Sequence, residues 1–283
     1  MSWDTVLVVD WSGGADRGPR PKKDAIWACA ASRAGAETPV YLRSRPVAEA
    51  WLAERIAAER AAGRRVLAGF DFPFGYPAGF AAALTGRPDA LAVWDWLEAR
   101  IEEGPRTSNR FDVAGEINAR FPGVGPFWGN GLRRDVPHLP RKGRARVGHG
   151  MEEWRAAERR ARGAFSCWQL SGAGSVGSQA LTGLPVLARL RRRFGAAAWP
   201  FEPLTGAGVA LVEVWPSLMR GAIAERRGAE EVLDAAQVRL LAAGLARLRP
   251  DRLDAMLDVA APEEGWILGL GFEAELAEAF SAC

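Results

Sequence analysis

The chain has 283 residues, of which 48% are hydrophobic and 25% are charged, and its formal net charge at pH 7 is +3. This length predicts one large α/β domain, or one domain with a substantial insertion. No apolar run is long enough for a transmembrane helix, and the first residues lack the basic and apolar regions of a signal peptide. We therefore expect a cytoplasmic protein that does not associate with membranes.

The chain has few residues of the types that hold zinc. Its three cysteines, Cys29, Cys167 and Cys283, are far apart, and its two histidines are His138 and His149. Neither a disulfide framework nor a zinc-binding spacing can be built from them. Any bound metal is therefore expected to be held by carboxylates, which favours Mg²⁺ or Mn²⁺.

The first quarter of the chain alternates between strand and helix patterns. Residues 5–10 form a β-branched run that ends in a Gly-containing turn, and residues 24–31 and 39–43 have the pattern of two further strands. Residues 46–62 carry apolar residues at helical spacing, and residues 64–71 form a fourth strand. This order predicts an antiparallel meander whose returning strand lies parallel beside the first.

The middle of the chain is less regular. Residues 77–205 combine helical stretches, such as 89–101 and 152–162, with many Gly, Pro and Trp residues. Asp89 is a candidate N-cap for the first of these helices. We interpret this region as a long, partly helical insertion rather than an independent domain.

Regular patterning returns near the end of the chain. An apolar strand at residues 209–215 is followed by helices at residues 234–248 and 251–261. The whole chain, residues 1–283, is thus predicted to be a single domain with a framework at residues 4–80 and 207–270.

Four acidic residues are candidate catalytic groups: Asp10, Asp71, Glu213 and Asp254. The first three each follow an apolar strand pattern and precede a turn. If the first and fourth strands are parallel neighbours, Asp10 and Asp71 meet at their carboxyl ends, where open α/β sheets bind ligands. Clustered carboxylates are unfavourable without a cation, so Asp10, Asp71 and Glu213 are the predicted metal ligands. Asp254 lies on a predicted helix, with Asp258 as the alternative helix acid.

Two other segments suit the binding of a phosphate or another polar ligand. The turn after the first strand, with Trp11, Ser12 and Gly13, lets backbone amides approach a phosphate; an ordinary hairpin connection is the alternative. Ser175 and Gln179 lie near the start of a predicted helix, where they could bind a polar ligand. Gly and Pro residues soon after them are expected to interrupt that helix.

Residues 133–162 contain ten Lys and Arg residues against four Asp and Glu residues. This balance predicts a cationic face for a nucleic-acid backbone, with Arg141 and Arg144 as candidate contacts. A solvated, Arg-rich surface is the alternative. The expected partners are a nucleic acid or a nucleotide, and the sequence leaves the oligomeric state open.

Four segments of the chain stand out as an ordered set: residues 9–14, 69–75, 213–217 and 253–255. Together they resemble a domain-of-unknown-function family of predicted nucleases with a ribonuclease H-like fold. The resemblance implies a mixed five-stranded sheet of order 3-2-1-4-5 with helices on both faces. It also implies acidic metal ligands at Asp10, Asp71 and Glu213 or Asp254. The helix acid of ribonuclease H has no counterpart in residues 46–62, where Glu59 is expected on the surface.

The leading interpretation is a metal-dependent phosphodiester hydrolase, similar to a nuclease. Asp10 and Asp71 would hold Mg²⁺ or Mn²⁺, while Glu213 and Asp254 would complete the shell or orient water. A second interpretation is phosphoryl or nucleotidyl transfer on a small molecule, which resemblance links to molybdopterin guanine dinucleotide synthesis. A third is a non-catalytic ligand-binding protein on the same fold.

Overall fold

The computed structural model describes residues 2–104 and 106–281 and has an α/β architecture. The strands are β1 (Thr5–Asp10), β2 (Ile26–Ser32), β3 (Gly35–Ala36), β4 (Val40–Leu42), β5 (Val66–Phe70), β6 (Ala197–Ala198) and β7 (Val209–Glu213). The helices are α1 (Arg45–Ala61), α2 (Phe80–Thr85), α3 (Ala90–Glu98), α4 (Arg110–Asn118), α5 (Ala156–Arg160), α6 (Val176–Phe194), α7 (Arg220–Arg226), α8 (Leu233–Arg247), α9 (Pro250–Leu257) and α10 (Glu273–Ser281). Among the helices of these residues, none has both the length and the apolar character needed to cross a bilayer.

The strands form one mixed sheet of order β3-β2-β1-β5-β7-β6, and β4 also pairs with β2. β1 is antiparallel to β2, whereas β1, β5, β7 and β6 run parallel to one another. The predicted α/β class is therefore confirmed, and so is the prediction that the strand after α1 returns parallel beside β1.

The predicted five-stranded order 3-2-1-4-5 is wrong, because the sheet has seven strands. β3 and β6 have two residues each, and β6 extends the sheet beyond β7 by pairing Ala197 with Ala210 and Ala198 with Leu211. A two-residue strand is too short to show an alternating pattern of its own, and only its pairing with a neighbouring strand defines it. Sequence periodicity therefore gave no signal for either strand.

The described residues divide into two compact units. The first unit comprises residues 2–71, 190–260 and 266–281, and the second comprises residues 72–104, 106–189 and 261–265. Most of the predicted insertion at residues 77–205 falls in the second unit. The organisation of the chain as a single domain stays a prediction.

The core of the first unit is built on one face of the sheet. Val6 and Val8 of β1 and Leu67 of β5 are buried there with apolar residues of β7 and α8. Since side chains alternate along a strand, Asp10 continues the series of Val6 and Val8, and Asp71 continues the series of Leu67. Both aspartates are thus directed by the strands towards the face that α8 covers.

The second unit has an aromatic core. The ring of Trp168 lies 5.2 Å from that of Tyr76, 5.1 Å from that of Phe80 and 5.0 Å from that of Phe127. These offset and edge-to-face contacts are the arrangements that aromatic pairs favour. Trp168, one of the Trp residues that make the sequence pattern of this region irregular, therefore serves packing in this unit.

Helix α6 is continuous through Gly183 and Pro185, so the predicted interruption is wrong. A Cβ on Gly183 would lie 2.3 Å from the ring of Phe72, which shows that the glycine permits close packing. The cost of proline inside a helix is a lost hydrogen bond and a local clash. Burial of the residues around it, such as Leu184 and Val186, offsets that cost.

Two predictions about acidic residues on helices have opposite outcomes. The N-cap role of Asp89 is confirmed, because its carboxylate accepts a hydrogen bond from the amide of Leu91 at 2.9 Å. The surface position expected for Glu59 is wrong, because this residue is only 3% exposed. Its carboxylate accepts hydrogen bonds from Arg64 and Thr5, each at 2.6 Å, and the pKa of Glu59 is lowered mainly by Arg64.

Candidate active site

Asp10 and Asp71 lie at the carboxyl ends of two paired strands. In the parallel register of β1 and β5, Val9 is opposite Phe70, and each aspartate is the next residue along its chain. The amide of Asp71 donates to the carbonyl of Val9 at 3.0 Å, which continues the ladder past the end of β5. The structure thus brings together two strand ends that carry two of the three predicted metal ligands.

The electrostatic environment of this pair is unusual for aspartates. Burial raises the pKa of Asp10 well above its ordinary value, and the negative charges of Asp71, Asp234 and Asp24 raise it further. Burial, with the charges of Glu213 and Asp234, raises the pKa of Asp71 to about 7. Neighbouring carboxylates resist simultaneous ionisation because their charges repel. In the absence of a cation, the pair therefore retains a proton at pH values where isolated aspartates are ionised.

Glu213 belongs to the same environment through its charge. It ends β7, is 3% exposed and is the register partner of Phe70, one position before Asp71. Strand alternation assigns its side chain to the face of Phe70 rather than to the face shared by the two aspartates. Its charge nevertheless raises the pKa of Asp71. Glu213 therefore contributes to the field of the pair from a neighbouring strand.

The helix acid in this environment is Asp234, which the sequence analysis did not select. Asp234 lies in the first turn of α8, and its Oδ2 accepts a hydrogen bond from the amide of Asp24 at 2.7 Å. Burial raises the pKa of Asp234, although the Asp24 amide acts in the opposite direction. The predicted helix acid, Asp254, is half-buried on α9, and the alternative, Asp258, is exposed at the end of that helix. The catalytic role of Asp254 stays a prediction.

The turn after β1 is held by internal hydrogen bonds. Ser12 Oγ donates to the carbonyl of Asp24 at 3.3 Å and accepts from the amide of Gly14 at 3.1 Å. The buried guanidinium of Arg45 donates to the carbonyls of Ser12, at 3.1 Å, and of Gly14. Arg45 therefore fixes the conformation of the turn that follows Asp10. In the same turn Trp11 is buried, at 1% exposure, and Gly13 is half-buried.

The other predicted binding residues belong to the second unit. Arg141 donates to the carbonyl of Leu132 at 2.7 Å and pairs with Asp135 at 2.9 Å, so it supports its own loop. Arg144 is exposed in a single 3-10 turn, Gly143–Ala145. Ser175 directly precedes α6 and Gln179 lies in its first turn, and both are half-buried. Their roles in substrate binding stay predictions.

Half of the cations in residues 133–162 are neutralised by acidic partners. The five ion pairs are Arg134–Asp112, Arg141–Asp135, Arg146–Glu153, Arg155–Glu158 and Arg159–Glu152. The other five cations are exposed and form no ion pair with a described residue: Arg133, Lys142, Arg144, Arg160 and Arg162. The segment therefore contains five arginines that are paired with acidic residues and five exposed cations that could bind an anionic partner.

A second group of exposed cations lies in the first unit, in the connection between β1 and β2. Arg17, Arg20, Lys22 and Lys23 are exposed, and none forms an ion pair within the part of the chain that the structure describes. The connection begins directly after Asp10 and ends where Asp24 is held by Asp234. Positive charge is therefore placed on the loop that borders the acidic pair.

The acidic pair fits a hard divalent cation. No group of three or more His, Cys, Asp and Glu side chains among residues 2–104 and 106–281 has the arrangement of a metal site. Mg²⁺ does not require such a group, because it keeps several waters and is often held by one or two carboxylates together with substrate phosphates. Asp10 and Asp71 provide two carboxylates whose repulsion a cation would relieve. These two carboxylates therefore suit Mg²⁺ or Mn²⁺.

The chain matched no protein-family model, no curated protein and no solved structure. The resemblance of its four segments to predicted nucleases stays a prediction. Function is therefore inferred from the geometry and charge of the site.

Proposed function

We propose that the chain is a divalent-metal-dependent phosphodiester hydrolase whose Mg²⁺ or Mn²⁺ is held by Asp10 and Asp71. The main support is that these residues end two parallel, hydrogen-bonded strands and that their pKa values are both raised. An arrangement of mutually repelling acids is costly to the fold. If the two aspartates hold a cation, that role is a physical reason for the protein to keep this costly arrangement.

A bound Mg²⁺ or Mn²⁺ would supply positive charge for the oxygens that gain negative charge when a phosphodiester is cleaved. The chain's own residues have separate tasks around it. Asp10 and Asp71 bind the ion, and Arg45 keeps the adjacent turn in place. Asp234 is held by the amide of Asp24, and burial raises its pKa, the direction that favours proton transfer to and from water. Glu213 strengthens the negative field at Asp71.

The surrounding charge favours a phosphate-containing substrate. The exposed cations of the β1–β2 connection, such as Lys22 and Lys23, border the acidic pair and would attract a phosphate backbone. The exposed cations of the second unit, among them Arg144, would bind the same class of ligand. We accordingly propose a nucleic acid as the substrate and a ribonuclease H-like sheet as the fold. The support for that fold is the parallel set β1, β5 and β7 beside the antiparallel β2.

The test is cleavage of single-stranded, duplex and hybrid oligonucleotides with Mn²⁺, comparing the wild-type chain with Asp10→Asn and Asp71→Asn. Each substitution preserves side-chain volume and removes a negative charge. We expect a loss of at least about a hundredfold in rate, since each carboxylate binds the ion directly. Glu230→Gln is the matched control, because Glu230 is an exposed acid on the surface of the first unit.

The outcomes of this test separate the proposed activity from its rivals. Cleavage that survives Asp71→Asn would reject the assignment of the metal site. Stabilisation of the chain by ATP, with no binding of oligonucleotides, would favour phosphoryl transfer on a small molecule. Failure to bind millimolar Mn²⁺ would leave a non-catalytic ligand-binding protein.

A further inference from the structure

A pocket of about 440 Å³ lies in the first unit at the opposite end of the strands that lead to the acidic pair. It is formed by the loop between α1 and β5 and by the loop that precedes β7. Val66 and Val209, which begin these two strands, are register partners. The pocket is therefore one strand length, roughly 16 Å, from Asp71. Its lining consists of Arg60, Arg65, Thr205 and four Gly or Ala residues, with no acidic residue.

Arg65 is held in the wall of this pocket by backbone carbonyls and an aromatic ring. Its Nε donates to the carbonyl of Ala207 at 3.0 Å, and its Nη1 donates to the carbonyl of Ser2 at 2.8 Å. Its guanidinium also lies 4.2 Å from the centroid of the Trp3 ring, within the range of a cation–π contact. A guanidinium fixed in this way is positioned before any ligand arrives, which lowers the entropic cost of binding.

Arg60 provides the second guanidinium. Its Nη1 donates to the carbonyl of Arg64 at 2.8 Å, and it forms no ion pair with any described residue. A Cβ on Gly208 would lie 2.4 Å from Cζ of Arg60, so the guanidinium rests against bare backbone. A side chain at position 208 would therefore displace the Arg60 guanidinium from the place that it occupies.

The remaining polar groups of the pocket are also suited to donate hydrogen bonds. Thr205 and Gly206 are exposed, and neither the Thr205 hydroxyl nor the Gly206 amide is bonded to another described group. Gly206 has a φ of 76°, a conformation that lacks strain only without a side chain. Guanidinium, hydroxyl and amide donors gathered around one small space are complementary to a tetrahedral oxyanion.

We propose that this pocket binds a phosphate group, either as free phosphate or as part of a nucleotide. Arg60 and Arg65 supply the charge, Thr205 and Gly206 supply further donors, and Gly208 admits Arg60. The site is separate from Asp10 and Asp71 and requires no metal. It gives the chain a second place of contact with phosphate chemistry, whether or not the acidic pair is catalytic.

The test is isothermal titration calorimetry with inorganic phosphate, a nucleoside monophosphate and the unphosphorylated nucleoside, at constant ionic strength. EDTA is included so that no metal at the acidic pair contributes. We expect Arg60→Gln to weaken phosphate binding about tenfold, through loss of one charge-assisted contact. Thr205→Val should weaken it less. Arg33→Gln is the matched control, because it removes the same charge from an exposed arginine between β2 and β3.

Tighter binding of the monophosphate than of phosphate, with no binding of the nucleoside, would identify a nucleotide as the ligand. Equal binding of the two phosphates would identify free phosphate. The proposal is overturned if millimolar phosphate produces no binding heat, or if Arg60→Gln and Thr205→Val both bind as tightly as Arg33→Gln. Thermal melting of each variant shows whether a loss of binding reflects a loss of folding.

Discussion

At the residue scale, the paired aspartates give the stability of the protein a defined dependence on pH. The pKa of Asp71 is about 7 in the folded chain, whereas an unfolded aspartate has a value of about 3.9. The folded state therefore binds more protons than the unfolded state between these values. The stability that Asp71 contributes by binding this proton is complete below about pH 4 and is lost as pH rises through about 7.

We therefore predict that Asp71→Asn stabilises the metal-free protein at about pH 8. Removal of the charge removes the cost of burying it and relieves repulsion from Glu213 and Asp234, and the gain should be on the order of 1 kcal/mol, or a few degrees in Tm. At about pH 4 the same substitution should give no gain, because Asp71 is then already neutral. Thermal denaturation in EDTA at the two pH values measures the difference.

The same variant should lose the stabilisation that Mn²⁺ gives to the wild-type chain. In the wild-type chain that stabilisation should increase as pH rises through about 7, because the ion displaces a proton from the pair. Glu230→Gln should behave as wild type in each measurement. A stability gain for Asp71→Asn that is equal at both pH values would contradict the electrostatic account.

A further residue-scale prediction separates the two helix acids. Asp234 borders the acidic pair and raises the pKa of both Asp10 and Asp71, so Asp234→Asn should reduce Mn²⁺ affinity and cleavage. Asn can still accept the hydrogen bond from the Asp24 amide, so the start of α8 should be preserved. Asp254→Asn should have a smaller effect. Calorimetry with Mn²⁺ and the cleavage assay measure both variants. A larger loss of Mn²⁺ affinity and cleavage rate in Asp254→Asn would instead support Asp254, the helix acid predicted from the sequence.

The difference between these acids shows what local sequence can reveal about the site. Asp10 and Asp71 were predicted because each ends an apolar run before a turn, a pattern that is visible within ten residues. Asp234 has no such signal, since an acid in the first turn of a helix is ordinary. Its place beside the pair depends on the packing of α8 against β1 and β2, which unites segments more than 200 residues apart.

At the element scale, the packing of α8 against α10 depends on Gly244. A Cβ at this position would lie 2.4 Å from Cδ1 of Phe280, whose side chain is fully buried. Gly→Ala normally stabilises a helix interior by about 1 kcal/mol. We predict that Gly244→Ala instead destabilises the protein by about 1–3 kcal/mol, because the contact is overpacked.

Chemical denaturation measures the effect of Gly244→Ala on the free energy of unfolding, both in the wild-type chain and in the Phe280→Ala variant, as a double-mutant cycle. In the Phe280→Ala background, the methyl group added at position 244 has room, so the effect of Gly244→Ala should become neutral or stabilising. Gly221→Ala on α7 is the control, since nothing lies within 4 Å of its added Cβ and it should not destabilise. The same destabilisation by Gly244→Ala with and without the Phe280 ring would show that this contact is not the cause.

The elements themselves were predictable where their patterns were local. β1, β5, β7, α1 and α8 agree with the predicted segments to within a few residues, since alternation and helical periodicity are complete within each. β3 and β6 were missed because pairing alone defines them. Glu59 was misplaced because its burial depends on Thr5 and Arg64, which the helical pattern of α1 does not include.

At the scale of the whole molecule, the small net charge of +3 conceals an uneven distribution. Acidic residues concentrate at the ends of β1, β5 and β7, while exposed cations occupy the β1–β2 connection and part of the second unit. This separation suits a substrate that is itself polyanionic, because the cations attract the backbone and a metal ion shields it from the acids. A protein with the same net charge spread evenly would provide no such attraction.

This distribution makes the salt dependence of oligonucleotide binding a test of the substrate class. We predict that Lys22→Gln combined with Lys23→Gln lowers the slope of log K against log salt by about 1.4 for single strands, since each phosphate contact contributes about 0.7. Fluorescence anisotropy in the presence of Ca²⁺, over a range of salt concentrations, measures the slope without cleavage. Arg33→Gln combined with Arg220→Gln removes the same charge from exposed positions outside the connection and should leave the slope unchanged. If both double variants lower the slope equally, the cations act only through net charge, and the β1–β2 connection does not contact the backbone.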